Sequence, residues 1–248
     1  MSFKPAALLF TACCVLTVSA VAQLPDKFEN LQVLPKTISK SDLLATMIKF
    51  SLGTGIRCEG CHVGEGGPNL KNMQYPLDDK PTKRTARAMY RMMESINQDI
   101  AKMGIDAPIR VECATCHHGV NKPQPIDALM SDLIGKSGTE AAAAKYRQLR
   151  KDYYGQGSYD FTAEPLLQLA QGLMAKNQAQ EAAQMLELNL EFNPPSPRAY
   201  FMLGEAWRSA GDTKKAREAY QNVLKLNPEN ARAKARLEEL DRAPTPKP

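Results

Sequence analysis

Histidine is nearly absent from this chain: 248 residues contain three, His62, His117 and His118. Chemistry that needs a crowd of imidazoles is excluded at once. Aromatic residues are also thin, at 6% with a single Trp, yet 43% hydrophobic and 24% charged residues are the proportions of a folded protein rather than a disordered one. No basic block accompanies the net charge of +5, because 32 Lys and Arg are interleaved with 27 Asp and Glu, which argues against nucleic acid as a partner. Long apolar runs are missing too, apart from Ala6 to Val21 behind Lys4, which is shorter than a span of about 20 residues. That run closes on Ala20-Val21-Ala22 ahead of Gln23, the pattern of a secretory signal with an A-x-A cleavage site, so residues 1–22 are expected to direct export to the periplasm and be removed. Lipid anchoring at Cys13 or Cys14 is the lesser alternative, since Phe10 or Thr11 makes a poor opening for a lipoprotein signal.

Signal removal leaves Cys58, Cys61, Cys113 and Cys116 of the original six cysteines. In an oxidising compartment four cysteines ordinarily form disulfides. Here each C-x-x-C pair is followed at once by histidine, giving Cys58-Glu59-Gly60-Cys61-His62 and Cys113-Ala114-Thr115-Cys116-His117, the attachment signature of c-type haem. The spacing has a chemical reason. Thiols about one helical turn apart can add to the two vinyl groups on one edge of a porphyrin, and the next residue then offers its imidazole to the iron. A zinc site has no need of His in that fixed place, and a redox C-x-x-C usually precedes a helix of a thioredoxin-like βαβ unit. The expected cofactors are two covalently bound c-type haems, with His62 and His117 as proximal iron ligands.

Histidine scarcity then bears on the opposite faces of the irons. His118 adjoins His117 and cannot fold round to the far face of the same haem, so it reads as a surface or propionate-side residue. Methionine is the leading distal ligand, a choice that raises the reduction potential relative to two histidines. Two predicted helices carry candidates. Ser39 with Asp42 resembles a capping box, Leu43, Leu44, Met47 and Ile48 follow at helical spacing, and Gly53 is expected to stop the helix. Met47 lies eleven residues before Cys58, and the Gly53-Thr54-Gly55 turn lets the chain double back. The second helix is predicted from Pro81 and Thr82 to Gly104, with Ala86, Met89, Met93, Ile96, Ile100 and Met103 on its apolar positions, and offers one of Met89, Met92 and Met93.

In order along the chain come N-L-Q-V-L-P (Asn30 to Pro35), the Met47 helix, C-E-G-C-H, A-R-A-M-Y-R-M (Ala86 to Met92), Ile96-Asn97 and C-A-T-C-H-H-G. This succession, over about residues 28–122, resembles the cytochrome subunit of photosynthetic reaction centres. The resemblance implies a methionine of each preceding helix as distal ligand: Met47 for the first haem and Met89 for the second, with Met92 as fallback. Two departures stand out. The chain has two attachment motifs where the family subunit has four, and His118 where the family commonly has Arg.

The second half repeats itself. Asn193-Pro194 and Asn227-Pro228 are offset by 34 residues, the tetratricopeptide period. Leu166, Leu169, Ala170, Leu173, Asn177, Ala182, Leu186 and Leu190 match Tyr200, Leu203, Gly204, Trp207, Gly211, Ala216, Tyr220 and Val223 at the signature positions, and the whole resembles two tetratricopeptide repeats. A helix from Asn230 to Leu240 has the polar face of a cap. Thr139 to Tyr154 is predicted helical, as a capping or incomplete repeat, with Gly155 to Tyr159 a loop.

The fold class expected is all-α, a dihaem cytochrome module of helix, turn and C-x-x-C-H units followed by a stack of helical hairpins. The boundaries are 1–22 for the signal, 23–125 for the cytochrome with Asn121 to Pro125 as its end, 126–162 for a helical connector, 163–241 for two repeats and a cap, and 242–248 for a tail. The function expected is electron transfer between redox protein partners, a membrane electron-transfer complex among them, with the repeats as docking platform and no enzymatic activity. The alternatives are a dihaem peroxidase with one open iron, and a protein that is mainly a repeat scaffold. Signal removal takes Lys4, and two haems bring propionates, so Arg57, Arg87 and Arg110 are expected to face propionates rather than an acidic partner.

Overall fold

Ser39 opens the first helix as its sequence predicts: its hydroxyl accepts the Asp42 N–H at 3.1 Å. The computed structural model describes residues 25, 27–65, 70, 72–104 and 109–242, so the expected signal at 1–22 and residues 243–248 of the expected tail lie outside the described residues. The chain divides into two compact units between Thr115 and Cys116.

The first unit holds α1 (Lys40–Thr54), the short α2 (Cys58–Cys61) and the long α3 (Pro81–Lys102). Gly53 does not stop α1. The helix runs one residue past it, and Gly55, at φ 68°, donates its N–H to the Ser51 carbonyl as the left-handed cap. Gly53 is instead buried, where its missing side chain admits a neighbouring backbone. α3 begins with Pro81 in the first turn and gives way to Gly104 at φ 64°, as expected. Its protein-facing stripe meets α1 through the Tyr90 and Phe50 rings, 5.8 Å apart.

α4 (Cys113–His117) continues across the division, and α5 (Ile126–Tyr153) to α10 (Ala231–Arg242) form the second unit. α5 is broken at Gly138 (φ 82°, ψ 172°). The helix predicted from Thr139 is its second half; the first, from Ile126, lies in the stretch expected as a helical connector, where the sequence places no helix of its own. Tyr146 on the second half is fully buried, edge-on to Phe161 at 5.7 Å and tilted against Phe192 at 5.8 Å, which ties α5 to the hairpins after it. α6 (Ala163–Ala175) and α7 (Ala179–Phe192) make the first hairpin, α8 (Pro197–Ser209) and α9 (Thr213–Leu226) the second. Asn177 and Gly211, matched in the repeat, hold the corresponding left-handed turn at φ 60° and 84°. The cap helix α10 reaches Arg242, with Asn230 accepting the Ala233 N–H at 3.0 Å.

Between α8, α9 and α10 sits a polar knot. Glu205 accepts the Tyr220 hydroxyl at 2.5 Å, Arg236 Nε at 2.8 Å and Arg208 at 3.2 Å. Burial pushes its carboxyl up, but these donors outweigh burial and hold it below the ordinary value of 4.5. A carboxylate depressed in the folded state contributes stability above its unfolded pKa and loses it as pH falls through the folded one. Thermal melts taken at successively lower pH are therefore expected to show the second unit weakening below 4.5, with a shallower acid loss in Glu205→Gln. An identical acid limb in that variant would remove Glu205 from the account.

Candidate haem attachment sites

Each C-x-x-C pair lies on a single turn of helix, so local geometry sets the spacing of its cysteines; His62 follows α2 as its cap and His117 ends α4. In the first, His62 caps α2 by donating its N–H to the Cys58 carbonyl at 2.9 Å. Lys80 and Thr82, from the start of α3, donate to the Glu59 and Gly60 carbonyls inside the turn. The His62 ring lies edge-on to Tyr75, with centroids 5.3 Å apart. Burial first, then the Lys83 cation, pushes the His62 imidazole below its ordinary range against the opposing pull of the Tyr75 backbone. Neutral imidazole is the form that ligates a metal. Burial likewise pushes the Cys61 thiol up, partly offset by the Thr82 hydroxyl.

The second motif is fixed differently. Thr115 accepts the Glu112 N–H at 3.0 Å, and Lys49 of α1 pairs with Glu112 at 2.9 Å. A Cβ on Gly53 would lie 2.8 Å from Cys113 Cβ and 2.9 Å from the Ala114 backbone nitrogen, so α1 touches this turn backbone to backbone. Asn97 of α3 brackets Val111, donating to its carbonyl at 2.9 Å and accepting its N–H at 2.7 Å. The helix before the first motif thus braces the second, and the helix before the second braces both.

His117 Nδ1 lies 3.0 Å from the Val120 carbonyl oxygen, which can only accept. Nδ1 is therefore the donor, and Nε2 is the nitrogen available to a metal. His118 follows at φ 48°, exposed, its carbonyl accepting the Ser158 hydroxyl at 2.7 Å. The surface reading of its side chain stands.

All four sulfurs are thiols, and no three His, Cys, Asp or Glu side chains converge as a metal cluster among the described residues. The apolar faces point to a larger group. Leu43 is the one hydrophobic side chain buried in the first unit among the described residues, whereas α1 exposes Leu44, Ile48 and Leu52, and α3 exposes Met89 (46%), Met92 (53%), Ile96 and Met103. Met47 is half-buried on α1, between the protein-facing Leu43 and Phe50 and the outward Leu44 and Ile48. Met89 lies midway round the apolar flank of α3, between Met93 and Ile100 on one side and Ile96 and Met92 on the other. An Nδ1-bonded His117, a His62 imidazole pushed towards its neutral form, paired thiols and unburied apolar flanks suit covalently attached haem.

The sequence model of the family described as photosynthetic reaction centre cytochrome C subunit matches residues 17–184, well over half of the chain. The chain belongs to that family. The match runs beyond the 28–122 resemblance, through α5 and α6 and into α7. A tetratricopeptide repeat model matches residues 197–230 of this reaction-centre cytochrome family member, the α8 and α9 hairpin. No curated protein matches it.

The arginines offered as propionate partners have protein partners of their own. Arg87 is nearly buried, at 11% side-chain exposure, and pairs with Asp78 at 2.7 Å while donating to the Asn30 carbonyl at 3.1 Å. It fastens the N-L-Q-V segment to α3. Arg110 pairs with Glu94 at 3.1 Å and Arg57 with Glu59 at 3.5 Å, both largely exposed. Lys83, Lys80 and Thr82 are contributors that motif reading missed, because their role depends on where α3 begins in space rather than on spacing in the chain.

Proposed function

We propose that the protein is an exported dihaem c-type cytochrome that carries electrons between protein partners in the periplasm, with a membrane electron-transfer complex as a candidate partner. The observation that carries this reading is the doubled C-x-x-C-H turn, each with its histidine held for ligation. Bound haem supplies a one-electron iron couple. Cys58 and Cys61 would hold the first group and Cys113 and Cys116 the second, with His62 and His117 as proximal ligands. Met47 and Met89 would cap the opposite faces, Met92 being the fallback for Met89. Capping by thioether leaves no open position for substrate, so the chain's residues orient and insulate rather than catalyse. Among the described residues no helix is long and apolar enough to cross a membrane. Docking is given to the repeats, whose helices α6, α8 and α10 border a groove of about 630 Å³ containing Met174, Phe201 and Met202, with Arg232 lying 4.2 Å over the Phe201 ring.

Mass spectrometry of the protein from a host with haem-attachment machinery tests the reading: two added haems are expected, and one, or none with intact thiols, would overturn it. A second expectation concerns the caps. Met47→Ala and Met89→Ala should each remove about half of the ferric sulfur-to-iron charge-transfer band, and each should open one ferrous iron to carbon monoxide that the parent protein does not bind. Carbon monoxide binding by the parent would favour the peroxidase-like alternative. An intact band in Met89→Ala with half lost in Met92→Ala would move the second ligand one turn along α3.

A further inference from the structure

The two proximal histidines differ in what surrounds them, and the difference is electrostatic. Lys83 is a buried cation at 9% exposure, its ammonium donating to the Tyr75 and Leu77 carbonyls at 2.7 Å each and pairing with Asp78 at 3.0 Å. Arg87 shares the same carboxylate, and the fields of Lys83, Arg87 and Lys80 all reach His62. With the Arg57–Glu59 pair of the turn cancelling itself, three cations are set against the one carboxylate of Asp78 beside the first attachment turn. The His62 Nδ1 is buried without a well-formed hydrogen bond, sensing only the Tyr75 carbonyl that Lys83 also engages. His117 instead donates Nδ1–H to the Val120 carbonyl.

Both differences act in one direction. Reduction of ferric to ferrous iron removes one positive charge, so fixed cations in a poorly solvated place favour the reduced state. A proximal imidazole that donates strongly through Nδ1 is the more basic ligand and favours the oxidised state. We infer that the buried Lys83, with Lys80 and Arg87, holds the first attached haem at a higher reduction potential than the second. An electron shared between the two irons therefore rests on the haem of Cys58 and Cys61. This rests on the two-haem reading proposed above.

Redox titration of the holoprotein, with haem content counted on the same samples, tests it. Two waves are expected. Lys83→Met should move the higher wave down and leave the lower in place, Lys83→Arg should keep both, and Asp78→Asn, nearly isosteric and freeing the cations from their counter-charge, should move the higher wave up. Opposite shifts from two contacting residues are not what a merely structural disturbance produces. Two haems per chain with waves unmoved, or with the lower wave responding, would overturn the ordering alone; fewer than two haems would overturn the two-haem reading together with it.

Discussion

Gly53→Ala is expected to cost the protein much of its second haem while the first is retained. On helix propensity alone the change is favourable by about 1 kcal/mol, since Gly53 lies inside α1. The contact decides against it. The added carbon would stand 2.8 Å from Cys113 Cβ and 2.9 Å from the Ala114 nitrogen, and a backbone nitrogen cannot swing away as a side-chain tip can. Overpacking of this kind costs about 1–3 kcal/mol, and relief comes by displacing the turn that carries Cys113. Haem counting in Gly53→Ala should therefore fall from two towards one per chain, with Gly55→Asn, a change at the cap position, as the comparison that keeps both. Full loading of Gly53→Ala with an unchanged melting temperature would show that α1 does not brace the second motif.

Gly204→Ala carries the other large effect, on stability. Its Cβ would lie 2.4 to 2.8 Å from the Tyr220 ring. That ring is fully buried, and its hydroxyl is tied to Glu205, itself bound by Arg236 and Arg208. The helix gain of about 1 kcal/mol again competes with a clash of about 1–3 kcal/mol, and the tethered ring leaves little room for the gain to win. The second unit is expected to melt several degrees lower. Tyr220→Leu should also destabilise, but the double variant should be less impaired than the sum of the two, because the leucine vacates the space the new methyl needs. Strict additivity would mean that the close approach is not what matters at Gly204.

How the glycines were read shows where sequence reasoning reaches and where it stops. Gly53 and Gly55 stand two residues apart, and either could end a helix; only the contact with Cys113, 60 residues on, separates a cap from a close approach. The attachment turns were legible because cysteine, cysteine and histidine act within one turn. Repeats were legible because a period of 34 is visible by self-comparison, and Asn177 and Gly211 take the same turn for that reason. Arg87 illustrates the opposite case: it pairs with Asp78, and no local pattern encodes that contact. The first half of α5 escaped because Gly138 interrupts a weak periodicity.

Leu43, alone as a buried hydrophobic side chain among the described residues of the first unit, has a consequence for how the molecule is made and kept. Burial of apolar surface at about 25 cal/mol per Å² is what offsets the ordering of a chain, and one leucine offsets very little. The second unit, α5 included, has a core of its own. The described part of the first unit is expected to gain most of its apolar burial only when porphyrin is joined to it, against the flanks of α1 and α3 that are now exposed. A copy without its cofactor is therefore expected to be cut by protease in the first unit sooner than a loaded one, a difference that limited proteolysis reads directly.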